Sequence, residues 1–230
     1  ESDDVRNDFN TVNALYFPER RPFFSEGSEL FKLQSDRGFI NLFYSRTIND
    51  PSLIAKYTGK IGKTSYGVIS ARDESSLLLL PFEESSTIVK AGEATNNIFR
   101  VKQMLKNGGS IGAMVSSRDF DNGGDMLTSG IDFHYHPGYN IHLTVHGAMS
   151  VHNESDGLEY NPENVDELTF DSGNHTKAFD GEKINGSALG LAIIQWTKTD
   201  SRGFVARFRS PGFRTSNGFE QNNNTKWIKI

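Results

Sequence analysis

Cysteine is missing altogether from the 230 residues, so neither a disulfide framework nor thiolate chemistry is open to this chain. Long apolar runs are missing too. The longest, LLLLP at residues 77–81 and LGLAII at residues 189–194, fall far short of the roughly 20 residues a membrane helix needs, so any crossing of a bilayer is left to strands. An excess of positive charge is absent: 24 Lys and Arg against 29 Asp and Glu give a net charge of -5, which argues against a nucleic-acid partner. There is no phosphate-cradling G-x-x-x-x-G-K-[ST] and no dinucleotide fingerprint, and no cofactor is expected. A mean hydropathy of -0.50 is polar for a membrane protein, yet a barrel with a wet lumen and long loops dilutes its lipid-facing residues. The chain opens at Glu1 with neither an initiator nor an apolar leader, which reads as a processed or excised start.

What the chain has in abundance is strand periodicity. In IHLTVHGAMSVH, residues 141–152, Ile141, Leu143, Val145, Gly147, Met149 and Val151 alternate with His142, Thr144, His146, Ala148, Ser150 and His152. Successive side chains of a strand leave opposite faces, so one face is apolar and the other is polar and rich in imidazole. The same pattern recurs in residues 53–61, 97–105, 127–136 and 204–209. Soluble sandwiches also alternate. Strand length, the density of charge on the polar face and the spacing of turn residues tip the reading toward an antiparallel up-and-down (meander) β-barrel of outer-membrane type, complete or partial.

Candidate strands cover residues 11–17, 40–45, 53–61, 65–72, 86–92, 97–105, 109–118, 127–136, 141–152, 187–199, 203–210 and 225–230. Gly62-Lys63, Asn107-Gly108-Gly109, Asp121-Asn122-Gly123-Gly124 and Pro137-Gly138-Tyr139-Asn140 are hairpin connections by composition. Residues 1–48 form an N-terminal segment, read as a plug or mouth element, and residues 49–230 hold the barrel strands, with one long acidic loop at residues 153–186. Within the first segment PERRPFFSEGSELF is too compact and charged for a lipid-crossing strand. Arg20, Arg21, Phe23, Phe24 and Glu26 are its plug motif, expected to fold against the barrel interior with an arginine on carboxylates or carbonyls.

TVNALYFPERRPFFSEGSELF, then NLFYSRTI, IAKYTGKIGKTSYGVISA, NIFRVKQML with GGSIGAMVSSRDF, and late FRSPGFRTSNGF resemble an uncharacterised Gram-negative outer-membrane β-barrel family. Its members usually carry an N-terminal domain similar to family 9 carbohydrate-binding modules. The resemblance covers nearly the whole chain and implies the bacterial outer membrane, a lipid-facing exterior and an association with glycans. It supplies no reaction. The carbohydrate-binding module is absent here, and the chain stops at Ile230 without a terminal aromatic, so the resemblance casts it as the first part of a larger barrel or a shortened member.

Two constellations on the polar face carry what chemistry there is. His134, His136, His142 and His146 share one face only if the turn between their strands has an odd register, through a bulge or a three-residue loop. Hydrophobic matching of Ile131, Phe133 and Tyr135 with Ile141, Leu143 and Val145 favours that register. A cluster of neutral imidazoles could then hold a metal with Asp132 as carboxylate or supporting partner, or simply fill the lumen. Lys56, Lys60, Arg100, Lys102, Arg118, Arg207 and Arg209 all fall on the polar parity as lumen-facing cations. Such charges need acids, water or an anionic visitor. Either Glu19, Glu26, Glu29 and Asp36 fold in and neutralise them, or the lumen selects anionic solutes such as acidic oligosaccharides.

Catalytic signals fail on context. GGSIG at residues 108–112 fits G-x-S-x-G, but a nucleophile elbow requires a helix after the serine and residues 111–118 alternate as a strand. Glu83-Glu84 and Glu159, Glu163 and Glu167 are loop acids that would have to flank a glycosidic bond to act as a hydrolase. The expectation is therefore an outer-membrane barrel for solute passage or surface glycan handling, without catalysis. The competing reading is a soluble β-sandwich or barrel that binds carbohydrate or assembles with partners.

Overall fold

A computed structural model describes residues 19, 21–33, 40–83, 86–138, 140–155 and 169–230. The chain is all-β. Nine strands form one antiparallel up-and-down sheet in the order β1-β2-β3-β4-β5-β6-β9-β10-β11: β1 Pro51–Ile61, β2 Thr64–Pro81, β3 Ser86–Met104, β4 Ser110–Phe120, β5 Asp125–Gly138, β6 Ile141–Asn153, β9 Lys183–Trp196, β10 Ser201–Arg209 and β11 Thr225–Lys229. A two-stranded ribbon, β7 Thr169–Phe170 with β8 His175–Thr176, interrupts the long connection between β6 and β9. The sheet is not closed: among the described residues β1 pairs only with β2 and β11 only with β10.

Several strands outrun their sequence signal. The two short segments expected at residues 86–92 and 97–105 are one continuous strand, because a bulge opposite Ser76 absorbs the break in alternation and Gly92 takes φ +77 there. The apolar run at residues 77–81 completes β2, and its Leu78 and Leu80 are buried with Phe82, Val89, Phe120, Met126 and Phe179 in a second core. The strand expected at residues 40–45 is not one. Phe43 makes a single parallel bridge to Asn217 and a 3-10 turn follows at Ser45–Thr47, since this stretch lies on the sheet rather than in it. The strand expected at residues 11–17 lies outside the described residues.

One face of the sheet is covered, the other is open. Two short helical turns, Pro22–Ser25 and Ser28–Phe31, the stretch from Ile40 to Thr47 and the connection between β10 and β11 all lie on the covered face. There Phe24, Phe31, Leu42, Ile48 and Phe213 pack against Ile69, Ile98, Met114, Ala148, Ala188, Ala192 and Ile194. Burial of each large side chain stabilises by roughly 1.5–3 kcal/mol.

The β10–β11 connection crosses the sheet along a single hydrogen-bonded row. Gly186, Ser150, Thr128 and Ser116 are consecutive cross-strand partners on β9, β6, β5 and β4. Phe213 lies on Gly186, where a Cβ would collide with its backbone. The Arg214 amide then donates to Ser150 Oγ at 3.3 Å, the Ser216 amide to Thr128 Oγ1 at 2.9 Å, and Asn217 Nδ2 to Ser116 Oγ at 2.9 Å. Asn217 accepts from the Tyr44 amide at 2.7 Å, and Asn223 Nδ2 ends the crossing on the Pro81 carbonyl at 2.8 Å. Small hydroxyl side chains in a row thus satisfy a backbone that has no ladder of its own.

Candidate functional site

Buried charged residues lie on the covered face and exposed large apolar residues on the other, the inverse of an ordinary soluble fold, while Arg72, Glu93 and Asp121 form ion pairs toward one end of the open face. Arg100, Arg118, Asp132, His134, His146, His152 and Arg214 are all buried on the covered face. Leu53, Tyr57, Ile61, Ile131, Met149 and Ile228 are exposed on the opposite face, each with more than 60 % of its surface accessible.

The cations expected on the polar parity do lie on the covered face, and most are already engaged. Arg100 forks onto Asp132 at 2.5 and 3.0 Å, and its Nε donates to the Leu30 carbonyl at 3.1 Å. Arg118 is held by neutral acceptors: Asn96 Oδ1 at 2.8 Å, Leu77 O at 2.8 Å, Asn217 Oδ1 at 2.9 Å and Thr47 O at 3.2 Å. It therefore ties the sheet to both covering segments at once. Arg209 pairs with Glu220 at 2.6 Å, and Arg207 stacks over Trp227 at 5.1 Å. Lys56 donates to the carbonyls of Phe23 and Glu26 and sits 4.8 Å from the Phe23 ring. Lys102 is half-buried and Lys60 is exposed near the end of β1. Arg100, Arg118, Arg209 and Lys56 thereby clamp the covering segments onto the sheet.

The acids expected to neutralise these cations are mostly used elsewhere. Glu29 bonds Lys32 at 2.6 Å, Glu26 contributes its carbonyl rather than its carboxylate, and Asp36 lies outside the described residues. The neutralising acids are Asp132 and Glu220, from the sheet and from the β10–β11 connection.

In the plug motif, Arg21 donates to the carbonyls of Ile48 and Ser45, both at 2.9 Å, and to Glu19 at 3.0 Å, while its guanidinium lies 4.2 Å over the Phe24 ring. Burial raises the Glu19 carboxyl, but hydrogen bonds from Arg21 and Ser45 outweigh it and lower the pKa to about 2. Phe23 is exposed beside Lys56, and Arg20 lies outside the described residues.

The six histidines separate into a trio, His134, His136 and His142, and three single residues, His146, His152 and His175. The ladder runs through Phe133↔Val145, His134↔Thr144 and Tyr135↔Leu143, then slips by one residue to Gly138↔Ile141. One step beyond Tyr135 the same register brings His136 to His142, so the bulge joins the two strands' histidines on one face. His136 and His142 stand 4.4 Å apart between ring centroids and His134 and His136 4.6 Å; one nitrogen from each of the three rings falls within a 4.8 Å group. His134 Nδ1 bonds Thr144 Oγ1 at 3.2 Å, and its Nε2 faces His136 Nε2 at 3.1 Å.

His146 does not belong to this group. It is paired with Asp132, four residues from His142 and so about 13 Å away along the strand. Asp132 is not available as a metal carboxylate either, since both its oxygens hold Arg100.

At the opposite end of β6, Arg214 bonds Glu154 at 2.9 Å, lies 3.3 Å from His152 Nδ1 and stacks over Phe170 at 5.5 Å. Burial pushes the Glu154 carboxyl up against the pull of Arg214. Glu154, Asp180 and Glu182 bring three carboxylates together there, with Arg214 as counter-charge and His175 Nδ1 3.1 Å from Glu182 Oε2. Sequence reasoning assigned no role to Arg214, Asn217, Glu220 or Glu154. The usable signal was the aligned run Gly186, Ser150, Thr128, Ser116, which becomes visible only once the strand register is known.

The G-x-S-x-G serine is Ser110, the first residue of β4 and buried in a hairpin, with no helix behind it. Compared with family models, characterised proteins and solved structures, the chain matches none.

Proposed function

We propose that this chain forms part of an outer-membrane β-barrel, its sheet being unclosed between β1 and β11 among the described residues, with its open face meeting lipid and its covered face stoppered by its own chain, a gated rather than a freely open conduit for a solute or surface glycan. The observation that carries the reading is the inversion of polarity between the two faces. Large apolar residues exposed on every strand from β1 to β6 and on β9 would be an aggregation hazard in water and are the natural exterior in a bilayer. On β6 the apolar parity runs from Ile141 to Val151, roughly 34 Å along the strand, and a tilt of 35–45° reduces this to about 24–28 Å, close to the apolar band of a barrel. Tyr57, Tyr66, Phe133 and Tyr135 lie on the same open face near the ends of β1, β2 and β5, where an interfacial aromatic girdle would sit.

The soluble carbohydrate-binding reading has to leave this apolar surface uncovered, and the assembly reading needs a partner that covers nearly the whole face, so both rank second. The absence of cysteine makes the test direct. A polarity-sensitive fluorophore on Ile131→Cys or Leu189→Cys, reconstituted in vesicles, should emit as in hydrocarbon and be quenched by nitroxide-bearing lipid. The same label at Asp121→Cys, in the β4–β5 turn, should report water. Aqueous emission from all three sites, together with recovery as a detergent-free monomer, would sink the proposal.

A further inference from the structure

We infer that His134, His136 and His142 form a binding site for a divalent transition-metal ion of the zinc type, with three imidazole ligands and one position left to solvent or an external ligand. The donor set is nitrogen alone, in the order His-x-His-x5-His, which excludes the oxygen-seeking ions calcium and magnesium and suits zinc, copper or nickel.

The geometry is close to that of a formed site. Zn–N bonds of about 2.0–2.1 Å in a tetrahedron place ligand nitrogens about 3.3 Å apart. His134 Nε2 and His136 Nε2 stand 3.1 Å apart, and a nitrogen of His142 completes the group within 4.8 Å. Two imidazole nitrogens facing each other at 3.1 Å need a proton or a cation between them, because two lone pairs repel. A metal ion drawn to both nitrogens and to His142 satisfies all three rings together.

The support around the trio fits the same role. His134 Nδ1 lies 3.2 Å from the Thr144 hydroxyl on the neighbouring strand. When Nδ1 carries the ring proton and donates it to that oxygen, Nε2 is left as the lone pair aimed at His136. This outer hydrogen bond is the kind that fixes the tautomer of a metal-ligating histidine. His134 is buried, whereas His136 and His142 are half-buried beside the β5–β6 turn, which leaves an approach from solvent. The turn is held by Asn140 in the left-handed region at φ 62 and by the one-residue slip after Tyr135, so the three rings are set by backbone rather than by long flexible side chains.

The test uses the full chain, purified without a histidine tag and stripped with chelator. Zinc is titrated in competition with a chromophoric chelator, and cobalt absorption is recorded in parallel. One equivalent of zinc should bind at micromolar or lower free metal, with intense visible bands in the cobalt form, and binding should fade as acid protonates the imidazoles. His136→Ala and His142→Ala should each weaken zinc binding tenfold or more, while His175→Ala, at the other end of the sheet, leaves it unchanged. Because both decisive positions are half-buried and end-of-strand, near-ultraviolet circular dichroism can establish that the variants fold. Absence of stoichiometric zinc binding, or wild-type affinity in folded His136→Ala and His142→Ala, overturns the site. Neither result depends on whether the open face meets lipid.

Discussion

Arg100 on β3 reaches over the whole of β4 to grip Asp132 on β5 with two hydrogen bonds of 2.5 and 3.0 Å, both side chains sealed from solvent. Gly112 makes the crossing feasible. It is the β4 partner of both Lys102 and Asp132, and a Cβ there would stand 2.6 Å from the guanidinium nitrogens. A buried pair of this kind is costly to break one-sidedly, because the survivor is a bare charge. Arg100→Met or Asp132→Leu alone should therefore destabilise by about 3–5 kcal/mol. The double variant should recover most of that loss. Urea unfolding of the four proteins in one detergent measures the cycle, and additive single losses would remove the pairing argument.

Ile131 stands near the middle of β5 with 62 % of its surface exposed on the open face. If that face meets the bilayer midplane, Ile131→Arg should cost about 2–4 kcal/mol in vesicles. In water the same change at an exposed position should cost almost nothing. His146→Arg looks benign by parity alone, since it replaces one polar side chain with another. Its burial beside Asp132 reverses that, for a second guanidinium would compete for the carboxylate that holds Arg100. Folding yields in vesicles and in detergent-free buffer distinguish the two effects.

Gly186 lets the Phe213 backbone rest directly on β9. Gly186→Val should lift the β10–β11 connection at a cost of about 1–3 kcal/mol or more, as overpacking does. Each kcal/mol multiplies the released fraction about fivefold. Arg214, now 1 % exposed, would become a trypsin site. Mass spectrometry should show cleavage after Arg214 in the variant well before any in the parent protein. Equal cleavage rates would mean that the close contact does not hold the segment.

Period-two alternation was enough to place β1, β4, β5, β6 and β10 within a few residues, because a strand with two different surroundings writes them into sequence. The register of β5 and β6 was legible for the same reason: a slip by one would have turned Phe133 and Tyr135 away from Val145 and Leu143. Alternation also hid things. The bulge opposite Ser76 split β3 in the reading, and the buried run from Leu78 to Leu80 had no polar face to betray a strand. The interior crossing was illegible, since Arg214, Ser216 and Asn217 act through hydroxyls that adjoin only in the folded sheet. Parity placed Arg100 and Arg118 on the covered face, yet their partners came from distant segments that periodicity does not address.

Glu19 anchors the stretch that covers the sheet by accepting from Arg21, both side chain and backbone, and from Ser45. Burial raises its carboxyl and these hydrogen bonds more than offset that, so the folded pKa is about 2 against an ordinary 4.5. A carboxylate with a depressed folded value binds its proton more tightly when unfolded. Its contribution is therefore complete above about pH 4.5 and is lost as pH falls toward about 2. Glu19→Gln keeps the shape but removes the titration, so the variant should be less stable than the parent near neutrality and its stability should fall less steeply between those two values. Urea midpoints of both proteins, taken across that range in the same detergent, check the slope. Parallel curves would show that Glu19 is not ionised against Arg21 in the folded chain, and the anchor would then have to rest on the Ile48 and Ser45 carbonyls alone.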